Sequence, residues 1–180
     1  MVTTIDGKDL LAFFRLLKNR TTEDAARIRF MTEITISMEK ETDSTPTVDG
    51  NVTSVADGEN TMELKSIAYR EDDPNTINLW EEMHQWYLDN ETVEFWAVDI
   101  KSGVLNKETQ KEEFQVHYFQ GHFTEFELSS SAEGKVELSY SFAIDGKGVW
   151  RHKDVLTDAQ MQSVKAASYA YHTLAQETTV

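Results

Sequence analysis

Val136-Glu137-Leu138-Ser139-Tyr140-Ser141-Phe142-Ala143-Ile144 is the stretch that decides the fold class. Large apolar side chains recur at every second position, with Glu, Ser and Ala between them. That period of two is the signature of a strand with one face on a core and one face on solvent. Ser129–Gly134 precedes it as a hairpin connection, and Phe126 and Leu128 lie on the partner run. Glu125, Glu127, Glu137 and Asp145 then fall on the polar face of the hairpin, opposite Phe126, Leu128, Val136 and Leu138.

Moving outward, further strands are expected at Arg27–Met38, Met62–Arg70, Thr92–Ile100 and Phe114–Tyr118, with a bulge or bend at Gly121. Glu39–Asn51 contains Pro46 and Asp49-Gly50 and reads as a polar, turn-rich segment. Lys8–Lys18 is apolar on both faces and fits helix and strand equally. One helix is expected at about 74–89: Asp73 suits the N-cap and Pro74 the first turn, and Ile77, Trp80, His84, Tyr87 and Leu88 form its core stripe. A second is expected at about 157–175, opened by a Thr157/Gln160 capping box, with Met161, Val164, Ala167 and Tyr171 on its apolar stripe. Strands outnumber helices, so the expected fold is mainly β, with the β domain at 1–150 and a helical extension at 151–180.

Composition narrows the function. The 180 residues include no cysteine, which removes disulfides, thiolate metal sites and cysteine nucleophiles. The net charge of −15 argues against nucleic-acid binding through phosphate neutralisation. Acidity is uneven: residues 1–38 carry six basic and five acidic groups, and residues 39–73 carry three basic against ten acidic. Met1–Lys8 is polar and gives no secretory signal, and no apolar run is long enough to cross a bilayer.

Motifs for chemistry are missing from the sequence. Gly146-Lys147-Gly148 lacks the spacing of a phosphate loop, and His84, His117, His122, His152 and His172 form no metal-ligand spacing. His117 and His122 differ in strand parity and should face opposite sides unless Gly121 bulges. Ser129-Ser130-Ser131 is not framed as a nucleophile elbow, and the paired carboxylates are those expected of an acidic surface. No catalytic residue, metal or cofactor is expected.

Gly7-Lys8-Asp9-Leu10-Leu11, followed by a strand and by Glu41–Gly50, resembles the opening of the major tail proteins of siphophages, the family best known from lactococcal phages. Gly121–Ser129, Val136–Ile144 and Asp145-Gly146 are similar to that family's closing hairpin. The resemblance covers about residues 5–148. It departs at Val48, where a basic residue is usual, and in the helical extension. It implies a tail-tube fold of two packed antiparallel sheets flanked by a helix, and it tips Leu10–Leu17 toward strand. It further implies a virion protein, made in the host cytoplasm, whose hexameric rings stack into a DNA-conducting tube. Implied partners are further copies of the chain, a tape measure protein inside the tube, and tail terminator and distal tail proteins at its ends. DNA would pass without specific binding, and no membrane would be involved.

Within that expectation, Glu125, Glu127, Glu137 and Asp145 are candidates to line the lumen. Glu39–Val55, with Thr42, Asp43, Thr45, Asp49 and Gly50, is the candidate inter-ring element, poorly ordered in free subunits. The runner-up reading is a small monomeric ligand-binding β-barrel or sandwich, followed by an acid-dependent enzyme on the same scaffold.

Overall fold

A computed structural model of the chain describes residues 4–71 and 78–165. It contains eight strands and two helices: β1 (Leu10–Leu16), β2 (Ala26–Arg27), β3 (Met31–Thr47), β4 (Gly50–Ile67), α1 (Leu79–Leu88), β5 (Val93–Leu105), β6 (Glu112–Ser129), β7 (Glu137–Ile144), β8 (Val149–Asp154) and α2 (Asp158–Lys165). All pairings are antiparallel, in the order β2-β1-β5-β6-β7-β4-β3, with β8 also on β6.

The two expected sheets are one hydrogen-bonded path folded on itself, and β6 is the fold line. Its first half pairs with β5 through Gln115↔Asp99 to Gly121↔Val93, and its second half pairs with β7 from Gly121↔Ile144 to Ser129↔Glu137. Aromatic rings fill the space between the halves. Phe95 meets Phe142 edge-on at 6.4 Å between centroids, and Phe14 lies 5.8 Å from Phe123. Met62, Leu64, Leu138 and Tyr140 complete this main core. Alternation along β7 therefore buries Leu138, Tyr140, Phe142 and Ile144, as the quoted stretch predicts.

Gly121 does not bulge. It runs straight through as the shared residue of both halves, where an added Cβ would stand 1.9 Å from the Ala143 carbonyl oxygen. The irregularity lies two residues later, between Phe123 and Glu125. The extra residue, Thr124, lets both Phe123 and Phe126 turn to the core despite their spacing of three.

β1, β5 and the first half of β6 are covered on both faces. Leu11, Phe13, Val98, Phe114 and Val116 form a second core, closed by Leu156, Met161 and Val164. This explains the doubly apolar sequence of Leu10–Leu17, which is a strand. Glu94, only 4% exposed, sits on this second face. It accepts hydrogen bonds from Arg15 Nε at 2.8 Å and the Tyr118 hydroxyl at 2.7 Å. β8 crosses the expected boundary at residues 150 and 151 and joins the sheet. The Thr157/Gln160 capping box forms as expected. The expected helical positions Ala167 and Tyr171 lie outside the described residues.

α1 begins later than its sequence suggests. Asn78 is the N-cap, in a capping box with Glu81. Asp73, Pro74 and Ile77 lie outside the described residues. The buried face is Leu79 and Met83, flanked by partly buried Trp80, Trp86 and Tyr87. Trp80 Nε1 donates to the Tyr69 carbonyl at 2.9 Å, and His84 stacks on Phe126 at 4.4 Å. Leu88 is 59% exposed and is not a core residue. The stripe centred on Leu79 and Met83 turns it outward as the helix ends.

Candidate functional site: sheet faces, sheet edges and the hairpin arm

The second half of β6, together with β7, β4 and β3, makes a four-stranded unit with one face on the core and one in solvent. Register fixes the solvent face row by row. Glu125 stands opposite Ser141, which pairs on its other side with Glu63, which pairs with Thr35. The next row runs Glu127, Ser139, Lys65, Glu33, and the one after brings Ser129 beside Glu137. The candidates Glu125, Glu127 and Glu137 thus share one exposed face, and Asp145 continues it past the end of β7. Asp145 Oδ2 lies 3.8 Å from His122 Nδ1, and His122 Nε2 lies 3.1 Å from Thr92 Oγ1.

Glu33, Glu63 and Lys65 belong to the same face and were not picked out from sequence. The alternation Met62-Glu63-Leu64-Lys65 carried the signal, but the pairing of β4 with β7 was not legible. Lys65 donates to Glu33 at 2.8 Å. That bond pushes the ammonium above the ordinary lysine range, and Glu63 and Glu137 add to the effect. One cation is therefore embedded in an acidic face.

Both edges of this unit are open among the described residues, where β3 pairs only with β4, and β6 beyond Gly121 pairs only with β7. Each edge offers unpaired backbone N–H and C=O groups along a strand.

Glu39–Asn51 is not an irregular loop. β3 and β4 continue pairing through it, from Lys40↔Asp57 to Thr47↔Gly50, around the two-residue turn Val48-Asp49. Gly50, at φ +123°, supplies the backbone conformation that a side chain would strain. The candidates Thr42, Asp43, Thr45, Asp49 and Gly50 all lie on this arm. Thr42, Thr45 and Thr47 on one strand and Val52, Thr53 and Val55 on the other favour strand despite the arm's polarity. Every residue from Glu39 to Asp57 is exposed, including Val48, Val52 and Val55. At the arm's base, Asp57 is bridged by Lys40 and Lys147, and these hydrogen bonds hold its carboxyl below the usual range.

His117 and His122 do face opposite sides, because β6 stays regular between them. His117 packs at a tilt against Trp150, 4.6 Å between centroids, and accepts the Arg151 backbone N–H at 3.1 Å. Burial, then Arg151, hold it below the ordinary imidazole range, against the opposing pull of Asp99. Among the described residues, no three His, Asp or Glu groups are placed to hold a metal ion. No described helix is long and apolar enough to cross a membrane.

Comparison with known proteins bears on these surfaces. A family model described as phage tail tube protein matches residues 4–149. A putative tail protein of Staphylococcus phage phiMR25 is 27% identical over 172 residues, covering 96% of this chain and 84% of that one. Among solved structures, the SPP1 tail tube superposes with a TM-score of 0.61 at 18% identity, covering 98% of this chain and 95% of that one. The tail of a gene transfer agent particle, refined with C6 symmetry, gives 0.57 at 17% identity, covering 81% and 97%.

Proposed function

The chain belongs to the phage tail tube protein family, and on that premise we propose how it builds the wall of a tail. The four-stranded unit carries the reading, because it has one face on the core, one acidic face and two open edges. The open edge of β3 in one subunit pairs with the open edge of β6 in the next. Such a contact joins two different patches, so it propagates around a ring, and closure leaves no edge exposed. Six copies make the ring, in keeping with the C6 symmetry of the gene transfer agent tail. The protein acts as structure and not as an enzyme.

Ring closure turns one face of the unit toward the channel. With the core and α1 on the other side, that face is the one bearing Glu125, Glu127, Glu137 and Asp145, joined by Glu33 and Glu63. A lining of this sign repels the phosphates of passing DNA and keeps the duplex from adhering. The hairpin arm, exposed throughout among the described residues, is the contact between stacked rings. A two-stranded hairpin alone is marginal in water, so a partner surface stabilises it. The tape measure protein would occupy the lumen during assembly, and terminator and distal tail proteins would meet the end rings.

Two measurements test this. Purified protein at high concentration should form rings and tubes by negative-stain microscopy, and a strictly monomeric protein would refute it. Changing Glu125, Glu127 and Glu137 together to Lys should permit assembly but slow DNA ejection, most at low salt. Unchanged ejection at every ionic strength would remove the channel role from this face.

A further inference from the structure

A cleft of about 1240 Å³ opens between the start of β1 and the base of β3, lined by Lys8, Leu10, Leu11, Arg27, Arg29 and Phe30 among others. Three cations, Lys8, Arg27 and Arg29, line it against the carboxylates Glu33 and Glu71, in a chain of net charge −15. Lys8 pairs loosely with exposed Asp6 at 3.4 Å, and both lining acids are matched. Glu71 closes on Arg29 at 3.0 Å, and Glu33 closes on Lys65. Arg27 has no carboxylate partner among the described residues. It donates from one terminal nitrogen to the Ser163 carbonyl at 2.9 Å, and its Nε is buried without a hydrogen-bond partner. Burial, then Arg29, hold its guanidinium below the ordinary range. A carboxylate arriving in the cleft would relieve both.

Phe30 supplies an apolar part of the lining: it adopts φ +54°, a region that costs a bulky residue energy, and the residue is 54% exposed. Its ring packs edge-on against Tyr69 at 5.6 Å, and Arg29 lies over both rings.

We propose that this cleft receives the hairpin arm of a second copy of the chain, an inference that rests on the stacked-ring reading. The arm has the complementary chemistry. Glu41 and Asp43 share one of its faces with Val52, by the pairings Glu41↔Ala56, Asp43↔Ser54 and Thr45↔Val52. None of Glu41, Asp43 and Asp49 has an ion-pair partner among the described residues, whereas Asp57 at the base is bridged by Lys40 and Lys147. Eight residues from Lys40 to Thr47 at about 3.3 Å each give a reach of about 26 Å, enough to leave its own subunit. Glu41 and Asp43 meet Lys8 and Arg27, and Val52 covers Phe30. Ring stacking is then salt-sensitive, whereas ring closure through backbone pairing is not.

The test is charge exchange in the full chain, read by ring mass and tube length. Glu41→Lys with Asp43→Lys should leave single rings and lose stacking, and Lys8→Glu with Arg27→Glu should do the same. Combining the four should restore tubes. Unchanged tube length in either pair at low salt, or no restoration in the combination, overturns the proposal. Should the cleft variant fail to fold, the cysteine-free background offers a second route. Asp43→Cys with Lys8→Cys, treated in assembled tubes with a short bis-maleimide, should link subunits into covalent polymers. Monomers alone on a denaturing gel would overturn it. If the parent chain forms no rings at all, the tube reading itself has failed. If rings form and stack but these variants behave as the parent, only the docking site is wrong.

Discussion

Gly121→Ala should destabilise the subunit far more than its single methyl group suggests. Gly121 is the residue at which β6 leaves β5 and joins β7, so it is paired on both sides. The added Cβ would stand 1.9 Å from the Ala143 carbonyl oxygen and 2.8 Å from Phe142 Cε1. The first obstacle is backbone and cannot rotate away. Relief requires β7 to move by more than 1 Å, which opens the adjacent Asp145 N–H to Gln120 carbonyl bond of 2.8 Å and shifts Phe142 in the core. Overpacking of this kind costs about 3 kcal/mol, and an orphaned backbone group adds about 1 kcal/mol. A total of about 4 kcal/mol is a large share of the roughly 5–15 kcal/mol of a typical domain. For a chain of this size it corresponds to a fall in Tm of about 8–16 °C. Thermal and urea unfolding of dilute, unassembled protein measures it. Gly7→Ala is the control, since a Cβ there meets nothing within 4 Å, and it should change stability by less than about 0.5 kcal/mol. A Gly121→Ala variant within about 1 kcal/mol of the parent would refute the close approach at the fold line.

Arg15→Ala should cost about 3–5 kcal/mol in urea unfolding, because it leaves Glu94 buried without its cation, whereas Arg15→Met with Glu94→Leu should cost much less. Equal losses in the two variants would show that packing, not the unpaired charge, sets the energy. Met83→Ala should cost about 2–5 kcal/mol and Leu88→Ala less than about 0.5 kcal/mol, which calorimetry can rank, since one is fully buried and the other exposed. His117 is held below the ordinary imidazole pKa, so the unfolded chain binds its proton first. Its contribution to stability is complete above pH of about 6.5 and is lost as pH falls toward the lower folded value. Urea midpoints measured across that window should decline in the parent and decline less in His117→Gln.

Local pattern determined much of this protein. The alternation at Val136–Ile144 settled a half-buried strand, its inward residues and the acidic outer set, because a period of two is imposed by the backbone itself. The Thr157/Gln160 cap was equally local, and ordered fragments at both ends of the chain carried the family resemblance. Tertiary structure decided what depends on partners distant in sequence. Leu10–Leu17 looked ambiguous because it is buried on both faces, and periodicity cannot separate such a strand from a buried helix. Polarity made Glu39–Asn51 resemble a loop. It pairs as a hairpin because backbone hydrogen bonds and β-compatible side chains suffice where no core is needed. Gly121 reads as an interruption in sequence, yet it is the point where two strands approach too closely for a side chain, a fact held by Ala143 and not by its neighbours in the chain. The rows joining Glu125 to Glu63 and Glu127 to Lys65 and Glu33, and the cleft between β1 and β3, follow from register and from the folding of one sheet over itself. Both are set by long-range pairing, which no single segment encodes.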